Sequence, residues 1–331
     1  MVKFGVFDHI DRSGAPLEAQ YADRLRIIEA YDAAGFDSYH VAEHHGTPLG
    51  MAPSPGLFLA SVAQRTRRIR FGPLVYILPL YHPLRLAEEI AMLDRLSNGR
   101  LNVGIGRGIS PIESGLYGND PAEGQARFDE VLAVLRLAFT AERLTYSGRY
   151  YRFEDVPIVM RPIQTPHPPL WYGVFTGESA QRAAERGFNV ITHSVGEARA
   201  IRDEFRAAAA RAGKPELAFG VGRMIVVADT DAAALAIAER AFPHWYESFH
   251  FLYHAHGRSP VFGERPGLEG MRANGHAIVG SPSTVIAALS AQLQDCEADV
   301  QLGQFVFGDM TLGESLHSIE LFAERVMPAL R

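Results

Sequence analysis

The chain is predicted to fold as a single (β/α)8 barrel over residues 1–331, with an irregular insertion around residues 244–276. Three observations predict it. First, a length of 331 residues gives a soft prior of about two domains, yet barrels of this type reach that size as one. Second, the composition is 47% hydrophobic and 21% charged, which excludes a disordered chain, a collagen or a coiled-coil rod. Third, short apolar runs alternate with helical periodicity, joined by short connections. That is the pattern of parallel strands with crossover helices.

The elements follow in order. Val2 to Phe7 is an apolar run that reads as a buried strand. Pro16 to Ala34 repeats apolar residues at helical spacing (Leu17, Tyr21, Leu25, Ile28, Tyr31) and stops at Gly35, a helix-ending glycine. Asp37 to Ala42 is strand-like and Pro55 to Arg67 helical. Ile69 to Leu78 suits a strand buried on both faces. Pro83 opens a helix that ends before Asn98-Gly99. Arg100 to Ile105 is the next strand, and Gln125 to Thr140 the next helix. Tyr146 to Pro169 reads as a hairpin followed by a proline-rich connector. Strands follow at Leu170–Val174, Asn189–Thr192, Ala218–Ala228 and Gln304–Phe307. Helices follow at Glu178–Glu185, Glu197–Ala212, Asp231–Phe242, Pro282–Gln294 and Leu312–Met327. From His244 to His276 no clean period survives, and a loop that long is usually a lid or a binding segment.

Charge and cysteine content narrow the function classes. Lys and Arg total 32 against 38 Asp and Glu, a net charge of −6. No basic run of five occurs, so neither nucleic acid nor an anionic membrane is an expected partner. The lone Cys296 excludes an intrachain disulfide framework and a two-cysteine metal clamp, and nothing around it suggests an activated thiol. No apolar run approaches the ~18 residues of a membrane span. The opening MVKFGVFDHIDRSG lacks the apolar stretch of a signal peptide, so a cytoplasmic protein is expected.

The densest chemical cluster is His40-Val41-Ala42-Glu43-His44-His45. It matches H-x-x-E-H, a zinc spacing when it lies on a helix. Here it follows a helix stop, in a strand, where His40 and His44 share a face with Ala42. Packing is a further reading. A catalytic role is favoured, because barrel enzymes place active groups at the C-terminal ends of their strands. An imidazole there titrates near neutrality. Gly104-Ile105-Gly106-Arg107-Gly108 falls short of a dinucleotide fingerprint, since position 109 is Ile. Its glycines would let the backbone approach a flat or phosphorylated ligand, and Arg107 would supply a cation, unless it is simply a solvated turn residue. Phe175-Thr176-Gly177-Glu178-Ser179 runs from a strand into a helix. Hydroxyls and free N–H groups there form either a phosphate site or an ordinary N-cap. His82, before Pro83, reads as a turn residue. The aromatic stretch 244–254 could line an apolar pocket or anchor its own segment.

Taken together, KFGVF, GFDSYHVAEHH and FGPLVYILPLYHPLRLAEEIAMLDRLSNGRLNVGIGRG resemble the bacterial luciferase-like flavin monooxygenase family. AAERG, HWYES and VMPAL extend the likeness along most of the chain. The combination of EHH, LP-x-x-HP-x-R and S-x-GR is specific. The resemblance implies a TIM barrel that takes reduced FMN (FMNH2) from a separate flavin reductase. It further implies that O2 is activated as a flavin hydroperoxide and that a small hydrophobic organic substrate, an aldehyde or related compound, is oxidised. Position by position, it makes His44 the catalytic histidine, His45 its neighbour and Glu113 an acidic residue of the active site. Arg107, Thr176 and Ser179 would hold the FMN phosphate, with Gly177 between them. A family glutamate falls on Phe175 here, leaving Glu178 to replace it. Leu74-Val75 would be a non-proline cis peptide beneath the flavin ring. Gly106 stands where luciferase has a reactive cysteine and Ser194 where it has a tryptophan, and the segment after Tyr253 is shorter, so light emission is not implied. No metal is expected.

Other readings stay open: a deazaflavin-dependent oxidoreductase of the same superfamily, a zinc hydrolase using His40, His44 and Glu43, or a non-catalytic flavin-binding subunit. A homodimer is expected, through the helices Pro55–Arg67 and Pro83–Leu96. Their apolar residues Leu57, Leu59, Ala60, Ala63, Leu86, Ile90 and Leu93 would face the partner.

Overall fold

The structure, a computed structural model, describes residues 2–261 and 263–331. In chain order the strands are β1 (Lys3–Asp8), β2 (Ser38–Val41), β3 (Arg70–Pro73), β4 (Tyr76–Ile77), β5 (Val103–Gly106), β6 (Arg143–Ser147), β7 (Arg152–Pro157), β8 (Leu170–Gly173), β9 (Asn189–Thr192), β10 (Phe219–Val227), β11 (Ala277–Gly280) and β12 (Val300–Gln304). The helices are α1 (Leu17–Ala34), α2 (Pro55–Arg65), α3 (Pro83–Leu96), α4 (Pro111–Leu116), α5 (Gly124–Thr140), α6 (Gly177–Glu185), α7 (Ala198–Arg211), α8 (Asp231–Ala255), α9 (Leu268–Ala273), α10 (Pro282–Cys296), α11 (Leu312–Leu321) and α12 (Met327–Leu330).

The parallel order β3-β2-β1-β12-β10-β9-β8-β5 closes on itself through a parallel bridge between Phe71 and Leu101. This is the (β/α)8 barrel that the alternation predicts. Closure needs a glycine: a β-carbon on Gly72 would sit 1.9 Å from the Asn102 carbonyl oxygen. The strands are covered on both sides, and β2, β5, β10 and β12 are buried at every residue. The antiparallel hairpin β6–β7 lies outside the barrel, as its sequence suggests. Among the described residues no helix is long and apolar enough to cross a membrane.

Four expectations are corrected. The irregular insertion at 244–276 is mostly ordered helix. The α8 helix runs past Pro243 to Ala255, and α9 covers Leu268–Ala273. Pro243 removes one N–H, but rings at helical spacing carry the helix across it: Phe242–Trp245 at 5.4 Å, Trp245–Phe249 at 5.2 Å and Tyr246–His250 at 4.2 Å. The last barrel strand is Val300–Gln304, not Gln304–Phe307. Buried Gln301 and Gln304 interrupt its apolar pattern, while Phe305 and Phe307 pack beyond it. The run Ile69–Leu78 is not one strand; it divides at Leu74-Val75, and β4 turns to pair with β5. Finally, Leu59, Ala63, Leu86, Ile90 and Leu93 are buried against the barrel instead of facing a partner, and of the expected contact residues Leu57 is the one exposed, at 76%.

Candidate active site

Parallel strands end on one rim. His9 follows β1 there, His44 follows β2, Arg107 follows β5 and Thr176 follows β8. The residues singled out from sequence are therefore brought to a single face of the barrel.

His44 is held by Glu113. Its Nδ1 lies 3.1 Å from Glu113 Oε1, and the same carboxylate oxygen accepts the His45 backbone N–H at 2.8 Å. Glu113 stands at the third position of α4, whose N-cap Ser110 accepts its N–H. Burial alone would raise the Glu113 carboxyl, but the charge and hydrogen bond of His44 and the His45 N–H outweigh it and hold the group below its usual range. With Nδ1 turned to Glu113, His44 Nε2 is left without a partner among the described residues. His45 is committed elsewhere: its Nε2 donates to Glu43 at 2.8 Å and its Nδ1 accepts the Tyr117 hydroxyl at 2.8 Å. Glu43 also accepts the Ile77 N–H at 3.0 Å, and burial pushes its carboxyl up despite these bonds. Neither Tyr117 nor the Glu43 bond to the β4 backbone was legible, since both partners come from distant chain segments.

His9 stacks on His44 with ring centroids 5.7 Å apart. Burial, then the charge of His44, keeps His9 well below the usual imidazole range. Its only sequence signal was its place just past the end of a strand.

The other side of the rim is more open. The Leu74–Val75 peptide bond is cis. Gly106 faces Val75, and a β-carbon there would meet Val75 Cγ2 at 2.5 Å. Arg107 is exposed, and no hydrogen bond or ion pair engages its guanidinium among the described residues. At the start of α6, Thr176 and Ser179 form a capping box. Ser179 N–H donates to Thr176 Oγ1 at 3.2 Å, while Ser179 Oγ accepts Thr176 N–H at 3.2 Å and donates to Thr176 O at 2.8 Å. Among the described residues no group accepts from the Gly177 or Glu178 N–H at this helix N-terminus. The exposed Glu178 side chain pairs with Arg182 one turn on.

The zinc arrangement does not form. His40 lies in β2 while His44 lies beyond its end, so no helix face joins them. Among the described residues no group of three or more His, Cys, Asp or Glu side chains is placed to hold a metal ion.

A (β/α)8 barrel with a carboxylate-tied histidine on its C-terminal rim is the layout of a barrel enzyme. Residues 2–299 match the family model of luciferase-like monooxygenases, and the chain belongs to that family and is an oxidoreductase. It is 43% identical over 331 residues to the uncharacterized protein y4wF of Sinorhizobium fredii, covering 98% of this chain and 96% of that one. Over 193 residues it is 30% identical to the oxygenase component of the flavin-dependent trigonelline monooxygenase of Acinetobacter baylyi, spanning 57% of this chain and 53% of that protein. Among solved structures, the monooxygenase RslO1 from Streptomyces bottropensis superposes with a TM-score of 0.90 at 27% identity over 100% of both chains.

Proposed function

We propose that this chain is the oxygenase component of a two-component FMN monooxygenase, taking reduced FMN from a separate flavin reductase and using O2 to oxidise a small organic substrate. One observation carries the reading: a carboxylate-tied His44 and an unengaged Arg107 stand on the same rim. A flavin fits the residues present. Arg107 with the Gly177 and Glu178 N–H groups, unengaged among the described residues, suits a phosphate. The relative described as a flavin-dependent oxygenase component supports the same view.

When bound, reduced FMN supplies the electrons that activate O2. The chain's own groups do the rest. Arg107 would pair with the phosphate and the α6 N-terminus would donate to it, with Ser179 holding Thr176 in place. Leu74 and Val75 would lie against the ring. His44 accepts or returns a proton at Nε2, and Glu113 fixes its tautomer and stabilises its charged form. His45, tied at both nitrogens, positions the loop. A homodimer belongs to the proposal too, through the exposed Leu57, Met92 and Leu96, and sedimentation of the purified chain tests it.

The decisive experiment is an anaerobic titration with reduced FMN and with a reduced deazaflavin. It is followed by turnover with flavin reductase, isotopically labelled O2 and a panel of aldehydes, ketones and aromatics. Tighter binding of reduced FMN and one labelled oxygen atom in a product are expected. Preference for the deazaflavin, with no oxygen incorporated, sinks the proposal.

A further inference from the structure

The segment between α8 and α9 carries a cation, Arg265, that no acidic side chain among the described residues pairs with. The Arg265 backbone is tied down: its N–H donates to His250 Nε2 at 3.2 Å and its carbonyl accepts the Tyr246 hydroxyl at 2.8 Å. Its guanidinium carbon lies 4.4 Å from the centroid of the Phe249 ring. No carboxylate pairs with it among the described residues, and its Nε is buried without a hydrogen-bond partner.

A run of ring contacts leads from Arg265 to the active site. Phe249 packs on Trp245 at 5.2 Å, Trp245 on His9 at 6.2 Å and His9 on His44 at 5.7 Å. Trp245 Nε1 and His9 Nδ1 are also buried without partners. Buried polar groups find partners in roughly 90% of cases or more. Arg265, Trp245 and His9 thus carry nitrogens with no protein partner among the described residues, along one run of contacts that ends at His44. The rings between them offer an apolar bed, and the one fixed charge along the run is positive.

We infer that Arg265 anchors a carboxylate of the substrate, so that the compound oxidised is an organic acid with an apolar or aromatic body lying along Phe249 and Trp245, and not a neutral aldehyde. This rests on the oxygenase reading above and names the substrate class of that same site.

Benzoate and benzamide, equal in shape and different in charge, are suitable probes. Their binding to the full chain, alone and loaded with FMN, is read by tryptophan fluorescence, since Trp171 and Trp245 are the two tryptophans. Benzoate is expected to bind about tenfold tighter than benzamide or better, as befits a charge-assisted pair. Arg265→Gln should abolish that preference while leaving reduced-FMN affinity unchanged, and Arg265→Lys should restore part of it. Equal binding of the two probes to the wild type overturns the inference. So does a benzoate preference that persists in Arg265→Gln, or a loss of FMN affinity in place of benzoate affinity. If Arg265→Gln does not fold, the wild-type preference and its weakening in Arg265→Lys carry the same decision. The two readings fail separately: benzoate selectivity without reduced-flavin binding sinks the oxygenase, and oxygenation of neutral compounds alone sinks the anchor.

Discussion

Two stretches of the same rim are built in opposite ways. Between β2 and α4 the polar groups are bound to one another: Glu113 to His44 and the His45 backbone, His45 to Glu43 and Tyr117, Glu43 to the β4 backbone. Only His44 Nε2 is left over. Between β5 and α6 the tied groups merely cap a helix, while Arg107 and two backbone N–H groups stay open. The closed side holds one proton-handling group in a fixed orientation without help from a ligand. The open side keeps its donors unengaged among the described residues, and on the proposed reading a phosphate would complete it. Binding and chemistry are thus separable in this barrel, and mutations should separate them.

The largest expected effect is on the closed side. His44→Ala should lower turnover by roughly 10²–10⁴, the usual worth of a positioned acid–base group, with little change in reduced-FMN affinity. Steady-state kinetics beside a flavin titration check both halves, and a parallel loss of FMN affinity would break the separation.

Arg107→Ala should weaken reduced-FMN binding by about tenfold or more. Its melting temperature should hold, because no group among the described residues loses a hydrogen bond or ion pair. A clear drop in melting temperature would mean that Arg107 is structural.

Glu113→Ala should cost about 1–3 kcal/mol of stability, since it orphans the buried His45 N–H, and it should lower turnover as well. Thr176→Ala should cost about 0.5–2 kcal/mol through the lost cap, with a smaller effect on FMN affinity than Arg107→Ala. Denaturant unfolding ranks the two.

The smallest effect is on pH dependence. The Glu113 carboxyl is held below its ordinary value of 4.5. Its contribution is therefore fully present above that value and is lost as pH falls through the folded value, because the unfolded chain then binds the proton first. Unfolding free energies measured below pH 4.5 should fall less steeply in Glu113→Gln than in the wild type. An unchanged acid limb would show that His44 does not hold Glu113 ionised.

Much of this was legible from the residues. Strand ends could be placed from apolar runs, so His44, Arg107 and Thr176 could be assigned to one rim before any coordinates. Other features were hidden by local signals that tertiary packing overrode. Pro243 looked like a stop, yet Phe242, Trp245, Tyr246, Phe249 and His250 repeat at helical spacing and bridge it. Buried Gln301 and Gln304 disguised the last strand as loop. The contact residues expected on α2 and α3 were assigned to the surface because apolarity alone does not tell which face of a helix meets the barrel.

Sequence by itself determined the barrel class and the chemical groups at its strand ends, because hydrophobic period and turn residues act over a few neighbours. Only the tertiary structure decided which groups are paired and which are left open. Glu113 meets His44 across 69 residues of chain, and Arg265 meets no acid at all among the described residues. Contacts of that range are set by how helices and loops pack around the closed barrel, which no local pattern encodes.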